Sequence, residues 1–412
     1  MLTKTTVRVI KDAIPLVQKR GIEVVKQMYK ILFKNHPKYM NTFNMSHHIK
    51  DDAPQVTALA SKLLAVMENI EDLDPLYEDL MYIAEVHVSR NIQSTDYGPV
   101  GAALLESLVK TLKIEEGGKV YNQFAIFYNY VANQLILLEK QLYSQRENRL
   151  AGWSGFREFY VIDRVQESDS VVSLKLSNRD EAVLPKTSPG QFISIHNERL
   201  GITRQYSLIN SPDSHFFEIA VKQVSSVYGD GVFSSYVHND AKVGDTLKVT
   251  MPAAGFDLNR LPQRIIVVSA GIGITPHLSL FRYLKHHNIK PTITHINCVR
   301  DCSLEHFGAE LQSLYGALDI DHHTIFTGSS ERRIVFKQIT DALPLRDDVG
   351  YFVCGPHSFM SNIHSLLDTT GVPDSNVHYD FFGPITPFKP KDSIEVDGRT
   401  VGLDEFLPSV AV

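Results

Sequence analysis

The 412-residue chain is poor in cysteine: Cys298, Cys302 and Cys354 are its whole complement. An odd, sparse set of thiols does not make a disulfide framework, and such use fits a reducing compartment. Cys298 and Cys302 have no second pair at ligand spacing, so neither a zinc nor an iron–sulfur site is expected. Positive charge is short as well: 41 Lys and Arg stand against 47 Asp and Glu, a formal net charge of −6. Without a strong positive field to displace counterions, nucleic acid is not an expected partner. Long apolar runs are missing. The most apolar stretch, Phe124 to Leu138, is broken by Asn129, Asn133 and Gln134 and is too short to span a bilayer. Met1 to Arg20 mixes Lys and Arg with short apolar runs and lacks the apolar segment of a secretory signal. The expectation is a cytoplasmic protein with no integral membrane segment.

What is present is ordinary for a packed protein: 43% apolar and 21% charged residues. That excludes a mostly disordered chain, and at roughly 150 residues per domain the length suggests two or three domains. The acidic excess falls after residue 150, where the pattern period also changes. Before that point apolar residues recur at helical spacing. Val25, Tyr29, Leu32 and His36 form one stripe, Leu59, Leu63, Val66 and Ile70 a second, and Leu76, Leu80, Ile83 and His87 a third. Phe124, Phe127, Val131, Leu135, Leu138 and Leu142 form a long fourth. Pro37, Pro54, Pro75 and Gly117-Gly118 punctuate them, giving an all-α domain of six to eight helices.

Ala151-Gly152-Trp153 reads as a hinge, with the only Trp expected at the domain junction. Short strands follow at Phe159–Ile162, Val171–Leu176, Gln191–His196, Gln205–Ile209 and Phe217–Val221, separated by turn residues. This spacing suggests a small antiparallel barrel. From residue 264, continuous apolar runs at Ile265–Val268, Ile293–Val299, Thr324–Phe326 and Tyr351–Val353 alternate with helical patterns, predicting a parallel sheet covered on both faces. In the tail, Asp397-Gly398 reads as a turn.

Three segments have chemistry to offer. After the strand at 265–268 comes Gly271-Ile272-Gly273-Ile274-Thr275-Pro276, where two glycines let backbone approach a phosphate and a helix aims its amides at it. The third glycine of the dinucleotide fingerprint is absent, and a plain strand-to-helix turn is the alternative. Cys354-Gly355-Pro356 follows another buried strand, at the sheet end where ligands of open α/β sheets bind; a structural cysteine is the alternative. In Arg204-Gln205-Tyr206-Ser207, alternation puts Arg204 and Tyr206 on one face and Gln205 and Ser207 on the other. That pairs a forked donor for pyrophosphate with a flat face for an aromatic ring, unless the strand is merely a solvated edge.

Taken in order with Gly231-Val232-Phe233-Ser234, these segments resemble the ferredoxin–NADP reductase superfamily. The resemblance implies an FAD-binding barrel followed by a nicotinamide domain. It implies that Tyr206 packs on the flavin, that Ser207 hydrogen-bonds the ring's reactive edge, and that Arg204 with the amides around Phe233 and Ser234 holds the pyrophosphate. Gln205 lies in the same motif, and Pro189-Gly190-Gln191-Phe192 matches a motif near the flavin. Phe382, in the run from His378 to Pro384, matches the aromatic residue that covers the other flavin face. Gly271, Gly273, Ile274, Thr275, Pro276, Cys354, Gly355 and Pro356 would receive the nicotinamide cofactor.

With that module in view, the helical part takes on meaning. Thr42-Phe43-Asn44-Met45-Ser46, with His87 and Tyr97 ten residues apart, is similar to the globin domain of flavohaemoglobins. The resemblance covers roughly residues 1–385 and implies domains at 1–148 (globin), 152–260 (FAD barrel) and 262–385 (NAD(P)-binding), with 386–412 a tail. It implies one haem b with His87 on the iron, Glu139 and Tyr97 orienting His87, Tyr29 and Gln55 on the distal side, and Phe43 and Leu59 lining the pocket. Tyr29, Phe43 and Leu59 by themselves read as plain core.

The implied activity is nitric oxide dioxygenation. NADH or NADPH reduces FAD, FAD reduces haem iron, and haem-bound O2 converts NO to nitrate, in an expected monomer whose partners are these small molecules. The alternatives are a haem–flavin reductase with another main activity, or a non-catalytic haem sensor. Departures from the family pattern are Val86 where relatives commonly have Lys, an extra Ala254 where they have Gly, and Asp380 for the usual Glu. Arg300 favours NADPH and Asp301 beside it NADH. The longer tail is either a strand hairpin or, as its prolines favour, a disordered extension.

Overall fold

A computed structural model describes residues 2–43, 54–178, 183–225, 230–328, 339, 349–383, 388, 393–396 and 399–402. Asn44-Met45-Ser46, Pro384, the Asp397-Gly398 turn and residues 403–412 lie outside the described residues.

The N-terminal part is helical: α1 (Lys4–Asn35), α2 (Pro54–Glu68), α3 (Tyr77–Ser89), α4 (Tyr97–Leu112) and α5 (Lys119–Asn148). The six to eight helices expected resolve, among the described residues, into these five and three short 3-10 segments. Thr3 starts α1 by accepting the Thr6 amide on its hydroxyl at 3.1 Å. The apolar side of α1, with Ile10, Val17, Val24, Met28 and Leu32, packs on Leu104 and Leu108 of α4 and Phe124 and Phe127 of α5. A Cβ at Gly101 would strike the Tyr128 ring, so α4 and α5 approach closely there.

α5 ends as the backbone curls, with the Gly152 amide donating to Arg149 C=O at 2.8 Å. Trp153, expected at the domain junction, packs on the barrel side of it. It joins the barrel core, 5.7 Å from Phe159 and 6.3 Å from Phe217 between ring centroids, and its indole N–H donates to Val249 C=O. The ring is large enough to plug the barrel and the strand carbonyl satisfies its single donor.

The middle domain has β1 (Phe156–Ser168), β2 (Val171–Ser177), β3 (Phe192–Asn197), β4 (Ile202–Ser207), β5 (Phe217–Lys222), α6 (Val232–Asn239) and β6 (Thr246–Thr250). The sheet order is β4-β3-β6-β1-β2-β5, all antiparallel. A bridge from Leu208 to Ile219 joins the two edges and closes the barrel. Strand β4 begins three residues before the Gln205–Ile209 run read from sequence and ends at Ser207, because Leu208 and Ile209 turn away to pair with β5.

The third domain alternates β7 (Arg264–Ala270), α7 (Ile274–His286), β8 (Thr292–Val299), α8 (Gly308–Leu318), β9 (Asp321–Phe326), β10 (Gly350–Cys354), α9 (His357–Thr369) and β11 (Val377–Asp380). Its five strands are parallel in the order β11-β10-β7-β8-β9. Ile265, Val267 and Ile293 pack under α7 and α8, whereas Ile266, Val268 and Ile296 pack under α9. The strands are thus buried on both faces, which explains their unbroken apolar runs. In the tail, β12 (Ser393–Val396) and β13 (Arg399–Gly402) pair antiparallel, and Phe388 packs 4.8 Å from Tyr379 and 4.9 Å from His364. The tail therefore takes the hairpin alternative over these residues, not the extension that its prolines favour.

Candidate functional site

The structure brings the three proximal-side candidates together. His87 ends α3, Tyr97 begins α4 and Glu139 lies on the apolar stripe of α5, almost fully buried. His87 Nδ1 lies 2.7 Å from Glu139 Oε1, and the Tyr97 hydroxyl donates to the same oxygen at 2.5 Å. A buried carboxylate is tolerated because two donors satisfy it. The bond to Glu139 fixes the proton on Nδ1 and leaves Nε2 without a hydrogen-bond partner among the described residues. Burial raises the Tyr97 phenol, and Glu139 raises it further, so it remains a donor.

A second cluster forms around α1. Gln55 Nε2 donates to the Tyr29 hydroxyl at 3.2 Å, and the Tyr29 ring meets Phe43 edge-on at 5.5 Å. Burial pushes the Tyr29 phenol up to about 12, against the lowering effect of the Gln55 bond. Leu59 packs in the same core. Phe33, one turn beyond Tyr29 and stacked on it at 5.6 Å, belongs here too. Its i+4 position was the signal that sequence reasoning passed over.

On the barrel, Tyr206 is 5.3 Å from Phe233, centroid to centroid. Burial raises the Tyr206 phenol and holds the Arg204 guanidinium below its usual value. Arg204 Nη1 donates to its neighbour's carbonyl, Thr203 C=O, at 2.7 Å. Gly231 opens α6, where a Cβ would crowd the Ser234 hydroxyl; that hydroxyl donates to Gly231 C=O and accepts the Val224 amide. Phe233 is buried, so any contribution to a ligand comes from backbone amides at this helix start. Gln191 is turned into its own loop, accepting the Ser188 amide and donating to Ala254 C=O. Ala254 itself adopts a left-handed φ of 55°.

Gln205 points the other way, into the globin. Its Nε2 donates to Ser89 Oγ at 2.9 Å and its Oε1 accepts from Arg90 Nη2 at 2.7 Å. Sequence reasoning missed both globin partners. The signal was a cation three residues past His87, at the end of an apolar helical turn.

In the third domain the Gly271–Gly273 turn and the Cys354-Gly355 turn press on each other. A Cβ at Gly273 would collide with Cys354 C=O and lie 2.8 Å from the Gly355 amide, and one at Gly355 would crowd Ala270 and Phe359. Gly271 has φ +55°. α7 starts at Ile274, with Thr275 and Pro276 in its first turn, and α9 starts after Pro356. Both helix starts lie at the carboxyl ends of β7 and β10, the adjacent pair where the strand order changes direction. Cys354 is fully buried with its thiol raised by burial, which makes it a packing residue and not a nucleophile. Asp380 sits beside it in register, its Oδ2 without a hydrogen bond, and burial pushes its carboxyl up to about 7. Phe382 is exposed, and Ser207 ends β4 opposite Phe192.

The fold and these clusters define a class: a globin joined to a flavin- and nicotinamide-dependent reductase. A globin family model matches residues 26–135 and an oxidoreductase FAD-binding domain model matches residues 158–257. The flavohemoprotein of Bacillus anthracis is 30% identical over 404 residues, covering 93% of this chain and 99% of that protein. That of Rhizobium meliloti is 30% identical over 405 residues with the same coverage. The chain belongs to the flavohemoprotein (flavohaemoglobin) family. The fold is shared with the crystal structure of a flavohemoglobin from Malassezia yamatoensis with bound FAD and heme, at a TM-score of 0.78 and 22% identity over 93% of this chain and 100% of that one. As a member of this family the protein is an oxidoreductase carrying haem and FAD, with a third domain that fits NAD(P)H as co-substrate. The donor set fits these groups: an imidazole nitrogen left over for iron, and an Arg204 paired with no carboxylate among the described residues.

Proposed function

We propose that the protein is an NAD(P)H-dependent nitric oxide dioxygenase, converting NO and O2 to nitrate. The observation that carries this reading is the His87–Glu139–Tyr97 cluster, with Oε1 of a buried carboxylate on the Nδ1 side of the imidazole. When bound, nicotinamide, flavin and haem would supply hydride, single-electron and oxygen chemistry respectively. His87 would hold the iron through Nε2. Glu139 would enrich its imidazole in electron density, an arrangement suited to activating oxygen and not merely storing it. Tyr97 keeps Glu139 in place. Tyr29, protonated far above neutral pH, would donate to an oxygen ligand, with Gln55 fixing its hydroxyl and Phe43 and Leu59 excluding water.

Arg204 and the amides at Phe233 and Ser234 would hold the FAD pyrophosphate, and Tyr206, Ser207 and Phe382 would hold its ring, with Gln191 shaping the loop beside it. The turns at Gly271–Pro276 and Cys354–Pro356 would receive NADH or NADPH. The same reading makes the protein a monomeric cytoplasmic enzyme of small-molecule substrates, and no described helix is long and apolar enough to cross a membrane.

The test is NO consumption by the purified holoprotein with NADH, with and without O2, followed by nitrate analysis. Nitrate formed in step with NO, only when O2 is present, is the expected result. Equal NO loss without O2 and without nitrate would leave a reductase, and a flavin that NADH cannot bleach would leave a sensor.

A further inference from the structure

Among the described residues, Arg90 at the junction of two domains has no acidic partner. Its guanidinium is partly buried, and its one side-chain hydrogen bond among the described residues runs to the neutral amide of Gln205. Among the described residues, the groups that face it electrostatically are the Tyr82 and Tyr29 hydroxyls and a second cation, Arg204, and burial with that repulsion holds Arg90 below its usual value. No carboxylate is among them. Withdrawing a guanidinium even partly from water without an anion is unfavourable, and a negative group arriving with a ligand would complete such a site. Alternation on β4 puts Arg204 on the other face of the strand from Gln205, and Arg90 lies on the turn that follows His87.

We propose that Arg90 is the carboxylate clasp of the haem, taking a propionate in place of the cation absent at Val86, and that Gln205 fastens this clasp to the flavin strand. The inference rests on the assignment of haem to His87. Two features point to a propionate and not to the FAD pyrophosphate. Arg90 belongs to the globin chain segment, three residues from His87, and senses Tyr29 of the other haem-side cluster. Ser89 Oγ, which accepts from Gln205, donates to Val86 C=O at 2.7 Å, so the bridge is anchored to the backbone of the turn that carries His87. Haem seating and flavin-domain docking would thus share one residue pair, with Gln205 as the positioning residue.

The experiment compares release of ordinary haem and of haem dimethyl ester, whose propionates carry no charge, from full-length ferric protein to excess haem-free myoglobin. Expected for the native chain is release of the ester about tenfold faster than of ordinary haem, the equivalent of one charge-assisted bond. In Arg90→Ala the two porphyrins should leave at the same rate; Arg90→Lys should restore part of the discrimination. Gln205→Leu should halve it or more, since the fork loses its anchor. Because each variant is its own reference, a general loss of stability cancels in the ratio. An Arg90→Ala protein that still discriminates tenfold overturns the proposal, as does a native chain that never discriminates. His87→Ala tests the underlying assignment separately: if it retains haem with an unchanged spectrum, the iron ligand is elsewhere, whatever Arg90 does.

Discussion

Glu139 is a carboxylate between Leu135 and Leu142 on a helical stripe that also buries Phe124 and Phe127, and such a position needs a reason. Two short hydrogen bonds supply the structural one, and the charge supplies the chemical one. Glu139→Gln keeps the shape and removes the charge. We expect the haem midpoint potential to rise, the iron–histidine stretching frequency to fall, and NO consumption to drop about 10- to 100-fold. Tyr97→Phe should move all three the same way but less, since it removes only a support. An unshifted potential in Glu139→Gln would show that the carboxylate merely packs. Asp380 offers a second residue-scale test, by pH. Burial raises its carboxyl from the usual 3.8 to about 7, so the native state holds a proton that the unfolded chain releases. Its contribution is fully present below about pH 4, declines as pH rises toward 7, and is flat above that. The melting temperature of Asp380→Asn, which has no such proton to lose, should therefore exceed that of the native chain at pH 8 and converge on it near pH 4 to 5. A gap that is constant with pH would place the titration elsewhere.

Elements were legible where local pattern and burial agree. The apolar runs at 265–268 and 351–353 had to be strands covered on both faces, and β7 and β10 are. The glycines after β7 announced a close backbone approach. What the sequence could not display was the partner: Gly273 faces the Cys354 carbonyl, a contact made only when β7 and β10 lie side by side. The same limit hid the contact of Arg90 with Gln205, which belong to different domains, and the packing of Trp153 onto the barrel core. Pairings of that kind are decided by tertiary packing, which leaves no local period. Gly273→Ala tests the contact at this scale. Its Cβ has nowhere to go except by moving a backbone turn, an overpacking worth roughly 1–3 kcal/mol. Flavin reduction by NADH should slow about tenfold or more, chiefly through KM, while flavin and haem spectra stay intact. Normal flavin reduction would mean that the two turns do not form the nicotinamide site.

Across the molecule, the domains are joined by a few buried polar links and not by broad apolar faces alone. Gln205 ties barrel to globin. Arg282 of α7 ties barrel to nicotinamide domain: it donates to Glu218 of β5 at 2.6 Å, to Glu310 of α8 at 2.7 and 2.8 Å, and to Ile209 C=O. Arg282 and Glu218 are nearly buried, with 12% and 10% of their side chains exposed, so each depends on the other to offset desolvation. Arg282→Met should strand the Glu218 charge and cost about 3–5 kcal/mol. Adding Glu218→Gln should recover much of that, because the stranded group is then neutral. Heating the holoprotein while following flavin fluorescence and haem absorption together separates the domains. Flavin release should shift down by several degrees in Arg282→Met and return toward the native value in the double variant, with the haem transition unmoved. A haem transition that shifts in step would show the three domains melting as one unit, and an Arg282→Met chain as stable as the native one would show that the link contributes orientation without stability.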